Sequence, residues 1–187
     1  MEEPQKIYER IKLFFQTKRN FSGKKVLITA GPTYEAIDPV RFIGNHSSGL
    51  MGIEIARAFA DQGAEVTLVL GPSNISPNRN NINLLPVTSA KEMYDAVMTF
   101  FPKTDIAVLS AAVADFRPEI VADQKIKKNP DTDSITLKLV KTDDILKTVG
   151  SQKKENQVVV GFALETENGI ANAKKKLHTK NIDLIVL

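Results

Sequence analysis

The chain has 187 residues, 42% hydrophobic and 25% charged, which is enough to bury one sizeable core and predicts a single domain with at most a short appendage. Its 25 Lys and Arg against 22 Asp and Glu leave a formal charge of +3, too small an excess to argue for a nucleic-acid partner, so lysines count only where they cluster. Cysteine is absent, no apolar run approaches bilayer-spanning length, and the charged stretch Met1 to Lys6 is unlike a signal peptide; the expectation is a cytoplasmic protein with no disulfide and no membrane partner.

In chain order, Ile7, Ile11, Phe14 and Phe15 recur at helical spacing within residues 6–18, predicting a short amphipathic helix and then a polar linker ending at Gly23. Val26-Leu27-Ile28 is a continuous apolar run, as in a parallel strand covered on both faces, and Ala30-Gly31-Pro32 closes it. Residues 33–48 are polar and broken by Pro39 and Gly44, unlike a short strand-to-helix turn, and loops of that length are commonly functional or disordered. Helical spacing returns at Met51, Ile55 and Phe59 and stops at Gly63, and Val66 to Leu70 is a second buried strand that completes a βαβ unit. A loop over 72–81 leads to a short strand near Leu84-Leu85. Ser89 and Glu92 then form a capping box for a helix through Phe100, and Ile106 to Leu109 is the next strand.

Beyond Ala114 comes a basic loop, Lys125-Ile126-Lys127-Lys128, and Ile135, Leu137 and Leu139 alternate as one strand of an expected hairpin. Thr142 or Asp143 is placed to cap a helix through Val149. Val158 to Phe162 reads as another buried strand, Asn168 to Leu177 as a helix, and Leu184 to Leu187 as the start of a final strand. This alternation predicts an α/β fold: a doubly wound, mainly parallel, Rossmann-like sheet with an antiparallel hairpin excursion. Its ligand crevice would lie outside the carboxyl ends of the strands.

Ser47-Ser48-Gly49-Leu50-Met51-Gly52 opens a helix, so backbone N–H groups, two hydroxyls and the positive helix end converge, as an anion site requires. Helix capping and close packing explain such a turn equally well. Its glycines do not follow the strand in the spacing of a dinucleotide fingerprint.

The surrounding residues carry more. Thr29-Ala30-Gly31-Pro32-Thr33, Ile37-Asp38-Pro39-Val40-Arg41 and Asn45-His46-Ser47-Ser48-Gly49 stand in order. They are followed by Ala111-Ala112-Val113-Ala114-Asp115-Phe116-Arg117-Pro118, Lys125-Ile126-Lys127-Lys128, Val160-Gly161-Phe162-Ala163 with Glu165-Thr166, and Lys176 with Lys180. The set resembles the phosphopantothenate-cysteine ligase family over about residues 25 to 187, and no single block would be specific alone. The resemblance implies an enzyme of coenzyme A biosynthesis that uses CTP as a substrate, with Mg2+ carried by the nucleotide. It would join 4′-phosphopantothenate to CMP as an acyl-cytidylate and then pass the acyl group to the amine of cysteine. It also implies a homodimer and a fused or associated flavin-dependent decarboxylase domain. Residues 1–22 are then expected to be a linker helix and linker, and residues 23–187 the nucleotide-binding ligase domain with its C-terminal part absent.

Residue by residue, the resemblance makes Asn45 and Lys125 catalytic. Asn45 would orient the acyl carbonyl without titrating, and Lys125 would stabilise charge as the anhydride forms and breaks. Nucleotide contacts fall to Ala111, Ala112, Asp115, Lys125, Asp144, Ile145, Phe162, Lys176 and Lys180, and phosphate or substrate contacts to Asn45, His46, Ser47, Ser48, Gly49 and Gly52. Considered alone, each has a plainer explanation: Asn45 and Asp115 as turn residues, Phe162 as core, and the lysines as solvated charge. His46 has no second histidine or cysteine nearby, so a metal site in the protein is not expected.

Three departures stand out. Leu50 replaces a usual Lys, Thr142-Asp143 replaces the usual Asn-Pro before Asp144-Ile145, and the chain ends where an Asn usually follows. A nicotinamide-dependent reductase would need a tight glycine turn after Ile28 and an acidic residue ending the second strand, and Leu70-Gly71-Pro72 offers neither. A nonenzymatic nucleotide-binding module is the other alternative.

Overall fold

A computed structural model describes residues 3–7, 9, 20–128, 134–164 and 167–187. The first half runs β1 (Lys25–Ala30), β2 (Tyr34–Ala36), β3 (Phe42–Gly44), α1 (Leu50–Asp61), β4 (Glu65–Leu70), β5 (Ile82–Pro86) and α2 (Ala90–Phe100), with a 3-10 turn at Phe101–Lys103. The second half runs β6 (Ile106–Leu109), β7 (Phe116–Pro118), β8 (Leu139–Lys141), α3 (Ile145–Gln152), β9 (Val158–Phe162), α4 (Gly169–Thr179) and β10 (Leu184–Val186).

Six of these strands form one sheet in the order β10-β9-β6-β1-β4-β5, and every pairing in it is parallel. The continuous apolar run of β1 has the reason expected of it. Val26, Ile28 and Ala30 pack with Ile53, Ala56 and Ala60 of α1, whereas Leu27 packs with Met93 and Val97 of α2 and Ile145 and Val149 of α3. Alternate residues of one strand therefore serve two cores, one on each sheet face. The strand order reverses between β1 and β6, which opens a crevice above their carboxyl ends. The Ser89 capping box is present in full: its hydroxyl accepts from Glu92 N–H, and the Glu92 carboxylate accepts from Ser89 N–H.

Three local expectations change. The long loop after β1 contains the antiparallel pair β2–β3, whose three-residue strands are too short for periodicity to reveal. Tyr34 stacks on Phe42 with ring centroids 3.9 Å apart, and the buried Glu35 carboxylate accepts from Ala90 N–H at 2.8 Å. The expected strand over Ile135 to Leu139 is also displaced, since only Leu139–Lys141 pairs, antiparallel to Phe116–Pro118. Ile135, Leu137 and Leu139 are 57%, 38% and 42% exposed, and alternation fixes the register of a strand only where one face is buried. Finally, Asp144, not Thr142 or Asp143, caps α3, accepting from Lys147 N–H at 2.9 Å, because the Thr142 hydroxyl donates to Ala114 O at 2.6 Å instead. Residues 4–7 and 9 are helical; residue 8 and residues 10–18 of the predicted first helix, including Ile11, Phe14 and Phe15, and the pair Glu165-Thr166 lie outside the described residues.

Candidate functional site

The segment after β6 is built from small residues and fastened from several sides. Ala112 N–H donates to Gly31 O at 2.9 Å, Ala114 N–H to the buried Thr33 hydroxyl at 2.9 Å, and Thr142 N–H to Asp115 O at 3.0 Å. From below, Asn45 Nδ2 donates to Val113 O at 2.9 Å, with Ala112 O farther away at 3.5 Å. Residues remote in sequence thus hold one strand end rigid, at the switch point of the sheet.

Beside it lies a cavity of about 470 Å³. Its walls bring together seven of the residues expected at a nucleotide: Ala111, Asp115, Asp144, Ile145, Phe162, Lys176 and Lys180. Phe162 ends β9 and Asp115 follows β6, so an apolar face and a carboxylate meet across the crevice. Asp144 and Ile145 open α3, whose N-terminal N–H groups carry partial positive charge. Lys176 lies in the last turn of α4 and Lys180 at its C-cap, where two cations offset the partial negative charge of the helix end.

Lys180 is paired with the cap of α3. Its Nζ lies 3.1 Å from Asp144 Oδ1 and 2.9 Å from Oδ2. Burial pushes the Asp144 carboxyl up, but the Lys180 ammonium and the Lys147 N–H outweigh it, and the net shift is downward. The backbone of Lys180 is docked as well. A Cβ on Gly150 of α3 would come 1.7 Å from Lys180 O, and Asn181 Nδ2 donates to Gly150 O at 2.9 Å.

Two expected nucleotide contacts stand elsewhere. Ala112 is not among the cavity-lining residues; its backbone is committed to the parallel bridge with Pro32. Lys125 is exposed on the loop between β7 and β8, outside the cavity wall, because that loop is tied to the turn between β2 and β3 by Ala122 N–H donating to Ile37 O. Asn45 reaches the cavity indirectly, through Val113, which lines it. Ser47 and Ser48 line a separate hollow of about 350 Å³ with Tyr34 and residues 72–75, and their hydroxyls accept from Gly49 and Leu50 N–H at 3.3 Å. Gly49 caps α1 in the left-handed conformation, and His46 is exposed. A Cβ on Gly52 would come 2.4 Å from Ala30 Cβ, so this glycine serves close packing of α1 on the sheet. Among the described residues no group of three or more His, Cys, Asp and Glu is arranged to hold a metal.

Among the lining residues that the sequence did not single out for the site are Phe116 and Lys141, paired across β7 and β8. Lys141 stands three residues before the Asp144 cap, and a third lysine at the same edge was the available signal.

Residues 21–187 match the model of the DNA/pantothenate metabolism flavoprotein C-terminal domain. The chain is 49% identical over 185 residues to the coenzyme A biosynthesis bifunctional protein CoaBC of Haemophilus influenzae, covering 99% of this chain and 46% of that protein. It is likewise 49% identical over 191 residues to a cysteine/cysteine sulfinic acid decarboxylase of an unknown prokaryotic organism, covering 100% of this chain and 53% of that protein. It therefore spans about half the length of these relatives. Among solved structures, the C-terminal domain of a coenzyme A biosynthesis bifunctional protein CoaBC superposes with a TM-score of 0.77 at 43% identity, covering 89% of this chain and 77% of that one. The match runs over residues 21–187, and the chain belongs to the DNA/pantothenate metabolism flavoprotein C-terminal domain family.

Proposed function

We propose that this domain ligates 4′-phosphopantothenate to cysteine in coenzyme A biosynthesis, using CTP with its bound Mg2+ as substrate. The observation that carries the proposal is the cavity at the switch point, where Asp115, Phe162, Lys176 and Lys180 converge beside the strand end that Asn45 holds. A ribose or base can donate to the Asp115 carboxylate and pack on Phe162. The triphosphate then meets the lysines, and phosphate oxygens compete with Asp144 for Lys180.

In the first step a carboxylate oxygen of phosphopantothenate attacks the α-phosphorus, and the bond to the bridging oxygen breaks to release pyrophosphate. Two anions must approach one another, so fixed cations and aimed donors lower the barrier. In the second step the cysteine amine attacks the acyl carbon, CMP leaves, and the amine loses a proton. Asn45 contributes through its Nδ2. One hydrogen is anchored on Val113 O, while the 3.5 Å approach to Ala112 O is at the limit of a hydrogen bond and readily gives way to an acyl oxygen. Lys125 supplies charge at the α-phosphate from the neighbouring loop. The family resemblance assigns Ser47, Ser48, Gly49 and His46 to the phosphate of the acyl substrate. The same reading carries a homodimer, a cytoplasmic location and a fused or associated flavin-dependent decarboxylase. The bifunctional naming of the relatives supports the last of these.

The test supplies purified protein with 4′-phosphopantothenate, cysteine and either CTP or ATP, and follows pyrophosphate and product. Release with CTP is expected; release with neither nucleotide sinks the proposal, and release with ATP alone corrects the nucleotide. Asn45→Asp is expected to stop accumulation of the acyl-cytidylate, and Lys125→Gln to slow its conversion to product. Normal turnover in both variants would contradict the assigned roles.

A further inference from the structure

Lys125 has no regular secondary structure around it: residues 119–128, between β7 and β8, form neither helix nor strand. A side chain on such a segment can act at a fixed place only if its backbone is tied down. Besides the bond from Ala122 N–H to Ile37 O, the ties beside Lys125 converge on one residue. The Asp38 side chain is fully buried, and its Oδ2 accepts from the backbone N–H of Ile126 at 3.1 Å, directly beside Lys125. The same Oδ2 accepts from Arg41 Nε at 2.9 Å and from Arg41 Nη2. Arg41 Nη2 also donates to Ile126 O at 2.8 Å. Both backbone groups of Ile126 are therefore held, one by the carboxylate and one by the guanidinium that the carboxylate orients. The second oxygen, Oδ1, accepts from Val40 and Arg41 N–H at 2.8 and 2.9 Å and shapes the turn between β2 and β3.

That turn belongs to the hairpin whose outgoing strand ends at Gly44, one residue before Asn45. The clamp thus joins the segments that carry both proposed catalytic residues. We propose that Asp38 is a positioning residue for Lys125, holding the loop between β7 and β8 onto the hairpin that leads into Asn45. This inference rests on the ligase reading for its catalytic consequence but not for the clamp itself. Arg41, foremost, and the three backbone N–H groups hold the Asp38 carboxyl well below the usual carboxylate range despite its burial, so the clamp remains anionic throughout the neutral range.

Asp38→Asn separates this role from simple folding. Its Oδ1 can still receive the turn N–H groups, whereas an amide at the second position places a donor against the donors of Arg41 and Ile126. Amide exchange followed by NMR is expected to show Ile126 exchanging roughly tenfold faster or more, with β1 and β6 unchanged. Arg41→Lys, which retains the charge and loses the fork, is the second variant and should loosen the same amide. Unchanged exchange at Ile126 in both overturns the clamp, whether or not the wild type is a ligase. In the ligase assay Asp38→Asn should lower kcat roughly tenfold or more, leave the KM for CTP within about twofold, and cost nothing further in a Lys125→Gln background. A full additional loss in that background overturns action through Lys125. A wild type without turnover sinks the ligase reading instead and takes the catalytic consequence with it, while Ile126 exchange still decides the clamp.

Discussion

The sheet has a hollow at each end, and the larger one has the wrong chemistry for a nucleotide. At the amino ends of β1, β4 and β5 a depression of about 890 Å³ is lined by Lys25, Asn80, Asn81, Asn83 and Lys103. Its floor includes Ala60 and Asp61 from the end of α1 and Phe100 from the end of α2, so it faces helix C-termini, whose carbonyls repel anions. The cavity of about 470 Å³ at the opposite end faces the N-terminus of α3 and gathers Lys176 and Lys180 against an aromatic ring and a carboxylate. Volume favours the first; the direction of the strands and helices favours the second.

The sharpest test of that contrast is charge removal at both ends. Lys176→Ala with Lys180→Ala is expected to weaken CTP binding roughly a hundredfold, since each loses a charge-assisted bond to phosphate. Lys25→Ala with Lys103→Ala should leave it within about twofold. Isothermal titration of the wild type and the two double variants decides, and equal losses at the two ends would erase the distinction.

A smaller effect is expected from Gly150→Ala, which touches neither ligand nor lysine side chain. The added methyl meets Lys180 O at 1.7 Å, so α3 and the end of α4 must separate at a cost of about 1–3 kcal/mol. Both the melting temperature and CTP affinity should fall, by calorimetry and titration. Loss of stability alone would show that Lys180 reaches the phosphates without this docking.

The least effect concerns pH. Asp144 has a folded pKa below its unfolded value, so its pairing with Lys180 contributes stability above the unfolded value of about 4. That contribution is lost as pH falls through the depressed folded value. The melting-temperature gap between wild type and Lys180→Gln should therefore be full at neutral pH and close in acid. A gap independent of pH would mean the pair adds nothing.

The parallel strands, the Ser89 cap and α4 were legible because each is written locally, in an apolar run, a hydroxyl three residues before a glutamate, or a helical period. The proposed nucleotide contacts rest on a different kind of signal. Asp115, Phe162, Lys176 and Lys180 each had an ordinary explanation, and only their ordered occurrence made a family pattern. The pair β2–β3 was not legible, since its three-residue strands are held by Tyr34 stacking on Phe42 and by Glu35 reaching Ala90, a residue 55 positions away. Nor was the displaced pairing of β8, because the alternation of Ile135, Leu137 and Leu139 does not disclose that all three face solvent.

The amino-acid sequence alone determined the parallel α/β class and the approximate place of each main strand and helix, because backbone propensity and burial on two faces act over a few neighbouring residues. Tertiary structure decided which residues those elements bring together. It moved Ala112 into a bridge with Pro32 and Gly52 into the packing of α1. It also brought Asp38 to Ile126 across 88 positions. A carboxylate chooses its partners by distance and burial, and those exist only once the chain has closed on itself.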